Sequence, residues 1–191
     1  MKNIKTMMVA GLLALGLSAT AQADTYKIDD AGSHAFIQFK VKHLGYSWLL
    51  GRFNDFKGEF NYDEKNPSVS SVTVDIDTNS VDTNHALRDK HLRSKDFLMV
   101  GRYPDAKFVS TSFTENGKDI EIKGKFTFHG VTKDIVLQGK HIGAGKDPWG
   151  GYRRGFEAWT SFKMADYGML YNLGPTSEVV DLYFSIEGIR Q

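Results

Sequence analysis

The feature that most constrains this chain is a two-residue alternation of apolar and polar side chains that recurs over most of its length. Successive side chains of a β-strand point to opposite faces, so alternation of this kind marks strands with one buried and one wet face. Ala35, Ile37, Phe39 and Val41 share one parity, while Gln38, Lys40 and Lys42 take the other. Phe56, Gly58, Phe60 and Tyr62 alternate with Lys57, Glu59 and Asn61, and Val72, Val74 and Ile76 alternate with Thr73, Asp75 and Asp77. Residues 108–113 read less cleanly, and the Asn116-Gly117 that follows is a strong hairpin signal. Ile120, Ile122, Gly124, Phe126 and Phe128 resume the pattern, and Ile135 and Leu137 lead a run toward Gly143. Phe156, Ala158, Thr160, Phe162 and Met164 make another run, and Val180, Leu182, Phe184 and Ile186 close the chain. With a short piece at residues 26–28, the count is about eight or nine strands.

One stretch, near residues 84–99, breaks the alternation. Ala86, Leu87, Arg88 and Lys90 are good helix formers, and Thr83 or Asn84 is placed to cap them. Ser94 begins a second short turn through Leu98, and Gly101 and Pro104 stop it. No repeat or Pro/Ser-rich linker divides the chain, so residues 24–191 read as a single all-β domain with a short helical insertion.

The first 23 residues read as a secretory signal peptide. Lys2 and Lys5 precede an apolar run from Met7 to Leu17, and Ala21-Gln22-Ala23 has the form of a signal-peptidase site, so cleavage is expected before Asp24. The apolar run is well short of the roughly 20 residues a spanning helix needs, so stable membrane insertion is not expected. The expected location is the periplasm. Cleavage leaves 168 residues with 22 basic and 23 acidic side chains. With no cysteine, the domain has neither disulfides nor thiolate metal sites and must hold together by core packing. The balanced charge also lacks the clustered basic excess of a nucleic-acid footprint.

Strands with one apolar face bury it against a second sheet or by closing on themselves. The long runs over residues 33–43 and 152–164 favour closure. So do Gly58, Gly124, Gly139 and Gly155 within or beside strand patterns, where coiled barrels bend. Periodicity by itself is compatible with either a barrel or a sandwich. If the barrel encloses a cavity, its inward set would line it: Ile37, Phe39, Val41, Phe56, Phe60, Val74, Phe126, Phe128, Phe156, Phe162, Leu182 and Phe184. Such a wall offers no hydrogen bonds to a polar ligand. An apolar chain gains about 0.8 kcal/mol per buried methylene against an association cost of roughly 4–15 kcal/mol, so only a long one is held well. Trp48 and Trp149 sit in the aromatic-glycine segments 44–48 and 147–152, suited either to a cavity mouth or to plugging a barrel end. These fourteen residues are the candidate ligand contacts. Arg153 and Arg154 read as solvated loop charges, with a ligand head group as the alternative.

The remaining constellations are weaker. His85 and Asp89 share a helix face but make only a two-ligand fragment, and His34 and His43 have opposite parity on one strand, so no metal site is expected. His129 and His141 read as structural histidines. Residues 45–49 start like a nucleophile elbow but lack its closing glycine, and residues 143–148 fit neither a dinucleotide nor a phosphate loop. No cofactor and no catalytic set are expected.

Several segments are similar to the YceI-like family of bacterial periplasmic proteins. They include residues 33–36, 43–48 and 51–58, Arg88 to Leu98 with Tyr103-Pro104, residues 130–133 and 147–151, and residues 178–182. They run in order through residues 24–191. The resemblance implies an eight-stranded antiparallel, lipocalin-like barrel with a hydrophobic tunnel for a polyisoprenoid such as a quinone tail. It carries over no catalytic set and no proven contact residue. A bulkier segment at Met169, Leu170 and Tyr171 departs from the family pattern and is placed to narrow one mouth. The expected function is a periplasmic binding or carrier protein for a long-chain isoprenoid. The alternatives are an enzyme acting on a lipid inside the barrel and a ligand-free stress-response protein. Self-association into a homodimer is left open.

Overall fold

The structure, a computed structural model, describes residues 23–30 and 34–191, so the expected signal peptide lies outside the described residues apart from Ala23. The chain enters the sheet at Asp24 with β1 (Asp24–Ile28), followed by β2 (Phe36–His43), β3 (Ser47–Phe53), β4 (Phe56–Tyr62), β5 (Ser71–Asp77) and β6 (Val81–Asp82). A seven-residue helix, α1 (Ala86–Leu92), follows. Five long strands complete the chain: β7 (Asp105–Asn116), β8 (Asp119–Phe128), β9 (Val131–Lys146), β10 (Tyr152–Lys163) and β11 (Val179–Arg190).

Every pairing is antiparallel, and the sheet closes because β1 pairs with both β4 and β11. β1 and β2 lie in line along β11, β1 against residues 188–190 and β2 against residues 180–185. In the same way β4 takes β1 and β3 takes β2, while β5 pairs with β4 and β6 with β3. Three staves of the barrel are thus broken strands, and with β7 to β11 they make eight, arranged up and down. Closure decides for the barrel, where the alternation was compatible with a sandwich as well. All-β architecture and one short helix follow the sequence pattern.

The irregular reading of residues 108–113 has a physical cause. The β7–β8 register shifts between Ser110 and Ser112, so Phe108 and Phe113, of opposite parity, are both buried in the interior. The glycines within strands serve close packing as well as bending. A Cβ on Gly51 would lie 2.2 Å from the Phe39 ring, and one on Gly124 2.5 Å from the Phe108 ring. Each ring lies flat across the space a side chain would take.

The helical insertion is shorter than expected. Asn84 adopts a left-handed conformation (φ 60°), and the N-cap is His85, whose Nδ1 accepts the Arg88 amide at 3.2 Å. Thr83 does not cap the first turn; its amide and hydroxyl both donate to the buried Asp89 carboxylate. Beyond Arg93 the chain folds into turns closed by Phe97 and Met99 amides on the Ser94 carbonyl, which carry Phe97 and Leu98 into the core. α1 and these turns close one end of the barrel, together with the β2–β3 turn, the His129-Gly130 turn and residues 164–178. The opposite end carries residues 63–70, 117–118 and 147–151.

Candidate functional site

At the end that carries α1, the barrel holds a cavity of about 350 Å3, near the lower end of the range for small-molecule sites. Inward positions supply its wall: Ile37, Phe39 and Val41 of β2, Leu49 and Phe53 of β3, and Ile76 of β5. Val81 of β6, Ala106 of β7, Phe126 and Phe128 of β8, Phe162 of β10, and Val180 and Leu182 of β11 continue it. The helix side adds Leu92, Phe97 and Leu98, and the segment before β11 adds Met164, Met169, Tyr171 and Leu173. Apart from the Tyr171 phenol, the polar lining groups are Lys42, His43, Arg88, His91 and Ser177. They come from the end of β2, from α1 and from the turn before β11, so they gather at the open end. None is a carboxylate.

Local bonding fixes this mouth. Arg88 donates from Nε to the Thr83 hydroxyl and from Nη2 to the Thr83 carbonyl, both at 2.7 Å. Ser177 Oγ donates to the Lys42 carbonyl at 2.6 Å, which ties the segment before β11 to β2. The His91 ring packs edge-on against Phe97 and Tyr171, with Nε2 3.1 Å from Asp96. Leu44 holds a positive φ of 52° in the β2–β3 turn and lines the entrance.

The far half of the barrel is filled. Tyr26 stacks on Phe60, whose edge meets Phe156, and Tyr62 packs against Phe113 and Phe156. Beneath them is a void of about 60 Å3. It shares no lining residue with the cavity at the other end. Arg154 seals this end at 2% exposure, with its guanidinium 4.2 Å from the Tyr62 ring centre and ion-paired to Glu64. It donates to His141 Nε2 at 3.0 Å, while His141 Nδ1 faces Glu115 at 3.4 Å. Burial and the adjacent Arg154 charge hold the His141 pKa below its ordinary value. Tyr62 donates to Glu115 at 2.7 Å, and burial, with that carboxylate, pushes the phenol above its ordinary range.

The candidate contacts therefore separate. Ile37, Phe39, Val41, Phe126, Phe128, Phe162 and Leu182 lie together around the larger cavity. Phe60, Val74, Phe156 and Phe184 line the small void of the filled half, and Phe56 is buried without lining either space. The tryptophans stand elsewhere. Leu49, Gly51 and Phe53 take the inward parity of β3, so Trp48 faces out, with the Lys40 and Lys42 ammonium groups 4.4 and 5.6 Å from its ring centre. Trp149 is 75% exposed at the filled end. The two aromatic-glycine segments thus lie at opposite ends and do not frame one mouth.

The pair Arg153 and Arg154 corrects the reading of solvated loop charges. Arg154 shares the inward parity of Phe156 and Ala158, which makes it part of the plug. Arg153 donates to Asp29, Asp147 and Glu187. Asp29, His34 and Glu187 are grouped closely enough to chelate, but the Arg153 guanidinium already bridges their two carboxylates at 2.6 and 2.5 Å. The cation there is a side chain.

Several wall residues escaped the sequence reading. Ile76 and Val180 carried the right alternation without being chosen. Leu49 and Phe53 are offset by the β2–β3 turn, whose length sets their parity. Leu92, Phe97, Leu98 and Ala106 gave no periodic signal, since turns and short segments present them.

Comparison with known proteins places this geometry in context. The sequence model of the YceI-like domain matches residues 26–188. A UPF0312 protein of Pseudomonas paraeruginosa is 57% identical over 178 residues, covering 93% of each chain. Among solved structures, BcnA of Burkholderia cenocepacia superposes with a TM-score of 0.74 at 20% identity, over 84% of this chain and 98% of its own. A polyisoprenoid-binding domain from Saccharophagus degradans, implicated in plant cell wall breakdown, gives 0.65 at 18% identity, over 87% and 98%.

Proposed function

This chain belongs to the YceI-like family, and on that premise we propose that it is a periplasmic carrier that takes a long isoprenoid chain, the tail of a polyisoprenoid or quinone, into the cavity beside α1. The observation that carries the reading is the distribution of polarity: an apolar pocket inside the barrel with every charged lining group at its open end. Such a wall replaces water around hydrocarbon and offers nothing to a polar substituent at depth. At the mouth, Arg88 and Lys42 can donate to the oxygens of a head group, whereas the tail supplies the affinity, about 0.8 kcal/mol per methylene buried. The polyisoprenoid-binding domain from Saccharophagus degradans shares this fold, which supports this class of ligand. The signal-like segment before Asp24 supports export. A cavity of this volume walled by apolar side chains also argues against a barrel filled for stability alone, because side-chain packing forgone in a core costs stability.

Native mass spectrometry of the protein from a periplasmic fraction, followed by organic extraction, tests the proposal. We expect one stoichiometric apolar species of defined mass, lost on Leu182→Asp or Phe126→Asp. Protein that is empty from every growth condition, or these variants folded and still loaded, would overturn it.

A further inference from the structure

A carrier exchanges its cargo with a lipid phase, so this inference rests on the carrier reading and concerns the surface around the mouth. Four large apolar side chains stand there in water: Leu44, Tyr46, Leu87 and Leu170, the last three at 87, 75 and 77% exposure. They come from three separate elements, the β2–β3 turn, α1 and the segment before β11. All three also send residues into the cavity wall: Leu44, Arg88 with Leu92, and Met169 with Tyr171. The apolar tips therefore ring one opening, and an exposed patch of this kind marks an interaction surface.

The same rim is basic. Lys42, Arg88, Lys90 and Lys95 lie on it, and among the described residues none has a carboxylate within ion-pairing range. The nearby acids are already engaged. Asp89 is buried on Thr83, and Asp96 sits against His91. Asp166, farther along, faces Lys133 at 4.0 Å. Glu178, just before β11, and Asp105, at the start of β7, have no such partner among the described residues. At the opposite end Arg153 is neutralised by three carboxylates, Arg154 by Glu64 and Arg190 by Asp24, whereas Lys65, Lys118 and Lys146 have no such partner among the described residues, so it is the cavity mouth with its ring of apolar tips beside the basic groups that sets the α1 end apart.

We infer that this rim is a docking face for a lipid bilayer bearing anionic head groups, with Leu44, Leu87 and Leu170 entering the interface while Lys90 and Lys95 meet the phosphates. Apolar side chains within a basic surround are the combination that holds a protein on an anionic interface without inserting it. A protein partner would be served by the apolar tips alone and would not require the unneutralised lysines. Docking in this orientation sets the cavity mouth against the membrane.

The experiment is co-sedimentation of the chain from Asp24, which contains every strand of the barrel, with phosphatidylcholine vesicles with and without phosphatidylglycerol. In parallel, cavity loading is read in vesicle-free buffer with a fluorescent polyene fatty acid. We expect binding to the phosphatidylglycerol vesicles that weakens with salt. Lys90→Glu and Lys95→Glu should each lower partitioning at least about fivefold. Leu87→Asp and Leu170→Asp, which change side chains outside the cavity wall, should abolish it and leave polyene loading unchanged. No binding to either vesicle, or binding indifferent to these four substitutions, overturns the inference whether or not the cavity loads. Wild-type protein that binds vesicles yet takes up neither polyene nor native lipid overturns the carrier reading and leaves the docking face standing.

Discussion

A guanidinium fills the innermost position at the far end of the barrel. Arg154 lies over the Tyr62 ring, reaches Tyr26 and holds His141, so its stem and charge replace an apolar side chain in the plug. Arg154→Ala should destabilise the fold by about 2–3 kcal/mol in chemical denaturation, chiefly through lost packing. Arg154→Met, which retains volume without charge, should cost less. Both should leave lipid loading intact, because the cavity lies at the other end. His141 adds a pH dependence. Its folded pKa is depressed below the ordinary 6.5, so the unfolded chain takes up the proton first on acidification. Its contribution to stability is complete above about pH 6.5 and is lost as pH falls below that value. Thermal melts from neutral to mildly acid pH should show this slope, and His141→Gln should flatten it. Arg154 was legible in principle, since it shares the parity of Phe156. Its place beside the 147–152 turn masked that signal, as a charged pair after Gly and Pro resembles a solvated loop.

Among the elements, α1 matters most to the site because one face of seven residues walls the cavity. Its cap is a network: His85 takes the Arg88 amide, and Asp89 takes two bonds from Thr83, whose own oxygens hold Arg88. Asp89→Ala leaves the buried Thr83 amide without its partner and should lower stability by about 1–3 kcal/mol. It should also speed ligand release, measurable as the off-rate of a fluorescent fatty probe, since Arg88 and Leu92 move with the helix. The helix itself was readable from Ala86, Leu87, Arg88 and Lys90. Its cap was not, because histidine is a poor guess for an N-cap and Asn84 is spent on a left-handed turn. The strands were readable by parity except where a bulge resets it, as at residues 110–112, or where a turn fixes it, as for Trp48.

Over the whole molecule, closure joins β1 to β11, the two ends of the domain, and no local pattern announces a pairing so distant in sequence. Division of the interior into a filled half and an open half was equally hidden, because phenylalanines of identical parity occur in both. That division predicts a trade-off. Ala106→Phe, placed in the cavity wall, should stabilise the unloaded protein by about 0.5–2 kcal/mol while excluding the lipid, read as a raised melting temperature and an empty native mass spectrum. A substitution of equal size beside the 60 Å3 void should instead strain a half that is already packed.

The packed half of the barrel also gives the pocket a floor. On the carrier proposal, a hydrocarbon entering beside α1 would meet that floor and advance no farther, so the barrel would act as a gauge of chain length. Tails up to its depth would be sheltered whole, any excess would trail into water, and cargo would leave by the door through which it came.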